Sequence, residues 1–162
     1  MTDGQLRKNE SWGYETANFH SVEDVIEFAI KREVQAQEFY DKLARIIKDE
    51  KLRKIINDLQ TEEIHHELVL YKIKHGQQKF NEDEVSNINI VEYSPNYEPW
   101  PDMNRADLLL LCIKKEETSR RLYTHLAAIC KDPEMRETII RLAQEEARHK
   151  LRFEVEYDLL TY

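Results

Sequence analysis

Apolar residues recur at steps of three and four in four long stretches of this chain. Leu52, Ile56, Leu59, Leu70 and Ile73 fall on one helical stripe, and Met135, Ile139, Leu142 and Phe153 repeat it near the C-terminus. Ile26, Ile30 and Ala44 begin a third stripe; Leu109, Ile113 and Ala127 begin a fourth. Capping chemistry sets the boundaries. Ser21, with Asp24 at the third helical position, opens a helix running to about Lys48. Asp49 caps a second to about His75, where Gly76 supplies the stop. A third starts near Asn104, with Asp107 at the third position, and ends near Cys130; Asp132 and Pro133 open a fourth. The expected spans are about 21–48, 50–75, 104–130 and 133–160. Residues 1–20, with Gly4, Gly13 and little periodicity, form an N-terminal arm. Residues 76–103 contain "SPNYEPWP", have no helical period and are long for a connection. Two tight hairpins joined by such a link predict an all-α four-helix bundle, over residues 21–162, with one long crossover.

Each stripe is interrupted by residues that an apolar core does not call for. They are Glu33 on the first helix, Glu63 and His66 on the second, Glu116 on the third, and Glu146 and His149 on the fourth. Tyr40 and Tyr123 lie two turns beyond Glu33 and Glu116 on the same faces. The interruptions come in pairs because the second hairpin repeats the first. Residues 30–68 align without gaps to 113–151, 83 positions on, with 16 identities in 39; chance gives roughly two or three. The repeat resolves an ambiguity in "TEEIHHEL", where both Glu62/His65 and Glu63/His66 have the same spacing. Glu63 and His66 recur as Glu146 and His149; Glu62 recurs as Glu145, but His65 becomes Arg148. The stripe agrees, since Glu62 and His65 lie with Asp58 on a wetter flank. Height agrees too: Glu33 precedes Asp49 by 16 residues, and Glu63 and His66 follow it by 14 and 17. At the helical rise all three lie roughly 21–26 Å from the turn. Packed face to face, the hairpins bring six such side chains to one level.

Four ionised glutamates in a core would each cost several kcal/mol in lost solvation. Arg120, Arg136 and Arg141 offer one way to neutralise them. Two divalent cations are the better match to four carboxylates and two imidazoles, with bridging carboxylates holding the ions roughly 3.5–4 Å apart. Imidazole shifts the preference from magnesium or calcium toward iron, manganese or zinc. One glutamate from each of two helices, plus Glu-x-x-His from each of the others, is the ligand set of carboxylate-bundle sites. On that scheme Glu33 and Glu116 are terminal ligands, Glu63 and Glu146 bridge, and His66 and His149 bind one ion each. Tyr40 and Tyr123 would hydrogen-bond a ligand carboxylate.

The bulk properties narrow the field. Charged residues make up 35% of the chain, with 3 glycines and 4 prolines, as in long solvent-facing helices. A net charge of -8 argues against a nucleic-acid or anionic-membrane surface. Cys112 and Cys130 lack zinc-type spacing and suit buried thiols in a reducing cytoplasm. No stretch is apolar for long enough to span a membrane. "LLLLCI" at 108–113 is apolar all round its helix, and Phe28 and Phe39 lie off the ligand stripe, which suggests a homodimer. His20, His75 and His125 have no matched partners and are expected in solvent.

"AIKREVQAQEFYDKLA" followed by "LQTEEIHHEL" resembles the rubrerythrin branch of the ferritin-like diiron-carboxylate proteins, as does "CIKKEETSRRLYTHLA" with "LAQEEARHKL". The resemblance covers about residues 22–160. It implies a ferritin-like fold and a non-haem diiron oxidoreductase that reacts with hydrogen peroxide or dioxygen. The family's ligands carry over to Glu33, Glu63, His66, Glu116, Glu146 and His149. Two iron ions are implied, and a manganese/iron pair suits the same ligands. Two features depart from the typical family member. The chain lacks a rubredoxin-like four-cysteine module, so an electron donor would be separate. The family's additional third-helix glutamate falls at Ser119, whose repeat mate is Ala36. Ile64 stands where a bacterioferritin haem methionine would fall, so no haem is expected. Alternative functions for such a site are a ferroxidase or iron-storage protein, an oxygenase acting on an organic substrate, or a non-enzymatic metal or oxidant sensor.

Overall fold

The computed structural model describes residues 21–76 and 98–161. The expected N-terminal arm and most of the expected crossover lie outside them. Four helices carry the described chain: α1 (Val22–Ile46), α2 (Glu50–Lys74), α3 (Arg105–Ile129) and α4 (Pro133–Thr161). The capping residues act as their chemistry predicts. Ser21 Oγ accepts from the Asp24 amide and Asp24 Oδ2 accepts from the Ser21 amide, both at 3.1 Å, so two free donors are satisfied reciprocally. Asp49 accepts from the Leu52 amide, Asn104 from Asp107 and Asp132 from Met135. The turn after α1 is closed by Arg53, which donates to the Ile47 carbonyl. Arg136, its repeat mate, donates to the Cys130 carbonyl after α3.

One helix end differs from expectation. Gly76 does not adopt a left-handed conformation; no described residue has positive φ. The α2 end is closed instead by bonds from the His75 amide to Tyr71 O and from the Gly76 amide to Ile73 O, both 3.1 Å. Glycine serves a packing purpose there. A Cβ would stand 3.3 Å from Ile73 O and 3.4 Å from Met135 Cε, so its absence lets the end of α2 approach the start of α4.

Side-chain partners show how the hairpins lie. Tyr40 on α1 reaches Glu116 on α3, while Tyr123 reaches back to Glu33, so α1 and α3 are antiparallel. His66 with Glu145, and His149 with Glu62, give the same relation for α2 and α4. Arg105 at the start of α3 pairs with Asp49 at the start of α2, so these two helices run the same way. The link between them must therefore travel the length of α2, 25 residues or about 37 Å. This is the ferritin-like four-helix bundle.

Two apolar clusters fill its ends. Val25, Ile26, Leu70, Leu126, Ile139 and Leu142 anchor one; Leu43, Leu52, Ile56, Leu59, Leu109 and Phe153 anchor the other. The residues that suggested a dimer are largely spent on these cores. Leu108, Leu109, Leu111, Cys112 and Phe39 are buried, and Phe28 packs against the first cluster. The second face of α3 is thus not bare. The exposed apolar side chains lie elsewhere, among them Ile64 and Leu68 on α2 and Leu151 and Val155 on α4. No helix among the described residues is long and apolar enough to cross a membrane.

Candidate metal centre

Between the two apolar clusters lie the six polar interruptions of the stripes. Glu33, Glu63, His66, Glu116, Glu146 and His149 are each no more than 3% exposed. They form two overlapping quartets, Glu33–Glu63–His66–Glu146 and Glu63–Glu116–Glu146–His149. Within each quartet, one ligand atom from every residue lies within 4.8 Å of the others. Glu63 and Glu146 belong to both, the geometry that bridging carboxylates need. The two imidazoles lie parallel, with centroids 5.6 Å apart and planes 11° from coplanar.

The atoms facing the centre have no partner outside it and meet only one another, His66 Nδ1 lying 2.8 Å from Glu146 Oε1 and 3.0 Å from Glu63 Oε2. They are both oxygens of Glu63 and of Glu146, Glu116 Oε2, and Nδ1 of His66 and His149. Five carboxylate oxygens thus face one point with only two ring nitrogens among them, an excess of acceptors that cations would satisfy. The donor set, oxygen with imidazole nitrogen, fits two transition-metal ions. The arginines weighed against this reading are engaged elsewhere. Arg120 holds Glu117 at 2.7 and 2.8 Å, Arg141 holds Glu137 at 2.6 Å, and Arg136 holds the Cys130 carbonyl.

The outward-facing atoms of the six are all held, and each hold reaches the opposite hairpin. Tyr40 donates to Glu116 Oε1 and Tyr123 to Glu33 Oε1. The tyrosines do hydrogen-bond the cluster's carboxylates, but each serves the other repeat, because antiparallel α1 and α3 bring a residue seven beyond the glutamate opposite its mate. His66 Nε2 lies 2.7 Å from Glu145 Oε2, and His149 Nε2 lies 2.6 Å from Glu62 Oε2. Once the rings are neutral, a carboxylate on Nε2 would keep the remaining proton there and free the Nδ1 lone pair toward the centre. The spacing of α2 puts Glu62, whose repeat mate is Glu145, on a wet flank with His65 and Asp58. The two glutamates are half-exposed, yet that flank of α2 faces α4 rather than open solvent. The signal was present, since Glu62/Glu145 is identical in the repeat. His65 and His75 are exposed, as expected.

A second feature invisible in the pattern is Lys115, buried beside Glu116. Its Nζ lies 3.7 Å from Glu116 Oε1 and 4.9 Å from the centroid of the Tyr40 ring.

Protonation shows how the cluster balances its charge when no cation is present. Burial and the charges of Glu63 and Glu146 hold Glu33 well above the usual carboxylate range; burial and Glu146 do the same to Glu116. Burial would also lift Glu63 and Glu146. The imidazoles beside Glu63, and Glu116 with the imidazoles beside Glu146, outweigh it, leaving Glu63 well below its usual value and Glu146 at about 2. Burial would lower His66, but the carboxylates of Glu146 and Glu63 push it up to about 12, and His149 is raised likewise by Glu116, Glu146 and Glu63. Two imidazolium ions facing two carboxylates and two neutral carboxylic acids make a neutral centre. Two divalent ions would make it neutral again by displacing four protons.

A four-helix ferritin-like bundle with a buried Glu/His centre defines the class. The chain belongs to the rubrerythrin family, whose profile matches residues 24–157. A hypothetical protein of Pyrococcus furiosus is 29% identical and superposes with a TM-score of 0.70, over 91% of this chain and 94% of that one. A Thermotoga maritima protein designated ferritin-like diiron-carboxylate is 19% identical, with a TM-score of 0.69 over 88% and 97%. That second likeness is one of fold. No curated protein matches the chain.

Proposed function

We propose that this protein is a non-haem diiron oxidoreductase that reduces hydrogen peroxide or dioxygen. The observation that carries the proposal is the pair of buried quartets sharing Glu63 and Glu146, whose inward atoms meet only one another. Glu33 and His66 would hold one iron ion, Glu116 and His149 the other, and Glu63 and Glu146 both. When bound, such a pair supplies two electrons at adjacent positions, the number needed to cleave an O–O bond. The chain's own groups do the rest. Tyr40 and Tyr123 steady the terminal carboxylates from behind. Glu62 and Glu145 orient the imidazoles. The apolar clusters above and below exclude bulk water, which strengthens every charge interaction inside. The reducing electrons would come from a donor other than the buried thiols Cys112 and Cys130.

The test is anaerobic loading with two equivalents of Fe(II), then rapid mixing with hydrogen peroxide or dioxygen under stopped-flow absorbance. Oxidation on the millisecond-to-second scale, followed by repeated turnover with an added reductant, is expected. Oxidation no faster than that of free Fe(II) sinks the proposal. Fast oxidation without turnover, ending in mineral inside a multi-subunit shell, identifies an iron-storage protein instead.

A further inference from the structure

The six centre-facing residues are matched between the repeats, but the charges behind them are not. Lys115 and Arg32 are repeat mates, each one residue before a terminal glutamate. Lys115 is buried, with its ammonium 3.7 Å from Glu116 Oε1 and lying over the rings of Tyr40 and Phe39 at 4.9 and 5.9 Å. Arg32 is half-buried and donates to Gln35 at 3.2 Å; its charge interacts with Glu33, but from a longer distance, with no nitrogen within 4 Å of a Glu33 oxygen. Glu116 therefore has a close cation and a tyrosine hydroxyl on Oε1, while only its Oε2 is left facing the centre. Glu33 Oε1 has the Tyr123 hydroxyl, and among the described residues its one basic nitrogen within 4 Å is His66 Nδ1, itself one of the quartet, at 3.9 Å. A fixed positive charge behind a carboxylate draws electron density from the oxygen in front and repels an arriving cation. In an interior shielded from water and salt, that repulsion is little screened.

We infer that Lys115 makes the two metal positions unequal: the Glu33–His66 position fills first, and the Glu116–His149 position binds its ion more weakly. The inference rests on the dinuclear reading above and adds an order to it. A site that fills in a fixed order can take two different ions in sequence, so Lys115 is the residue that would let this centre discriminate between its positions.

Cobalt(II) titration of the metal-free, full-length protein at constant pH tests this without any turnover. Visible absorption and calorimetry read the two binding steps. Anomalous diffraction at the cobalt edge, from crystals given one equivalent, reads which position is filled. The expected result is density concentrated between Glu33 and His66, with dissociation constants at least about tenfold further apart than statistics alone require. Lys115→Met, which keeps an apolar stem against Phe39 and Tyr40, should bring the two steps together and spread one equivalent over both positions. Arg32→Met should leave the order intact. Equal occupancy in the unaltered protein overturns the inference, as does an order that Lys115→Met does not change. Failure to bind cobalt at either position would instead sink the dinuclear reading on which it rests. The unaltered protein decides the order by itself, so the result stands even if a variant fails to fold.

Discussion

The two helical hairpins match most closely around the buried centre and least toward the ends and outer faces of the bundle. Across the seam the ties come in matched pairs: Tyr40 to Glu116 with Tyr123 to Glu33, and His66 to Glu145 with His149 to Glu62. Farther from the centre the repeats diverge, even across the seam. Glu156, buried between Lys51 and Arg105, has apolar Ile73 as its mate. Ala128, Ala143 and Ala147 line a groove between α3 and α4, where the first hairpin carries Arg45, Gln60 and Ile64. Neither hairpin can therefore assemble the centre alone, because every ligand-type residue that is oriented from behind is oriented by the other repeat. Within the centre, the symmetry is broken by Lys115.

The strongest test of the seam is to remove a residue both halves share. Glu63→Ala should abolish tight binding of both ions, because Glu63 belongs to both quartets. Glu33→Ala should spare one, since Glu33 belongs to a single quartet. Elemental analysis of the purified variants beside the unaltered protein reads the difference. Two ions retained in Glu63→Ala would mean that the centre is not shared.

Proton exchange should distinguish the metal-free from the loaded protein almost as sharply. His66 at about 12, and His149 raised likewise, keep protons in the folded chain that the unfolded chain surrenders above 6.5. That contribution to stability is whole below 6.5 and fades as the pH climbs toward the folded values. Glu33 and Glu116 also bind protons more tightly when folded, so their contribution fades above 4.5. Glu63 and Glu146 behave oppositely. Their contribution is present above 4.5 and is lost as acid takes the pH down toward about 2. The metal-free protein should thus be most stable at about pH 4.5, losing stability above it as Glu33 and Glu116 contribute less, and faster still above about 6.5. Metal should displace nearly four protons per pair, measurable with an indicator dye in weak buffer, and its stabilising effect should grow between about pH 6 and 8. A metal-induced gain in Tm that is flat across that range would contradict the assigned protonation.

Glu62 and Glu145 come next in size. Glu62→Ala should free the His149 ring and Glu145→Ala the His66 ring, each weakening metal binding about 10–100-fold with little loss of fold. Competition against a chromophoric chelator measures this. Glu62→Gln should recover part of the loss, because an amide oxygen still accepts from Nε2.

How far the chain disclosed itself follows the same division. Stripes and caps are local features with a fixed period, so helix positions and the six centre-facing residues were legible. The repeat also chose Glu63 and His66 over their neighbours. What escaped notice was lateral. Periodicity says which residues face the centre, but not which flank lies against another helix, and so it leaves Glu62 on a wet flank. The tyrosines were placed on the correct faces, yet their partners depend on the antiparallel packing of α1 with α3. Lys115 gave no signal at all, since a lysine beside a stripe ordinarily extends its ammonium to water. Its burial is a property of the packed centre.

The smallest effect sets the two tyrosines against each other. Tyr123→Phe leaves Glu33 Oε1 without its hydroxyl donor, whereas Tyr40→Phe leaves Glu116 Oε1 still facing the Lys115 ammonium. Losing the partner of a buried polar atom costs about 1–3 kcal/mol. The nearby cation should offset part of that for Glu116. Thermal unfolding of the metal-free variants should therefore rank Tyr123→Phe as the more destabilised, by about 1 kcal/mol. In a Lys115→Met background the gap should close, because the two carboxylates would then differ in nothing that touches Oε1 except the His66 ring 3.9 Å from Glu33. A gap that persists there would place the asymmetry in the histidines rather than in the lysine.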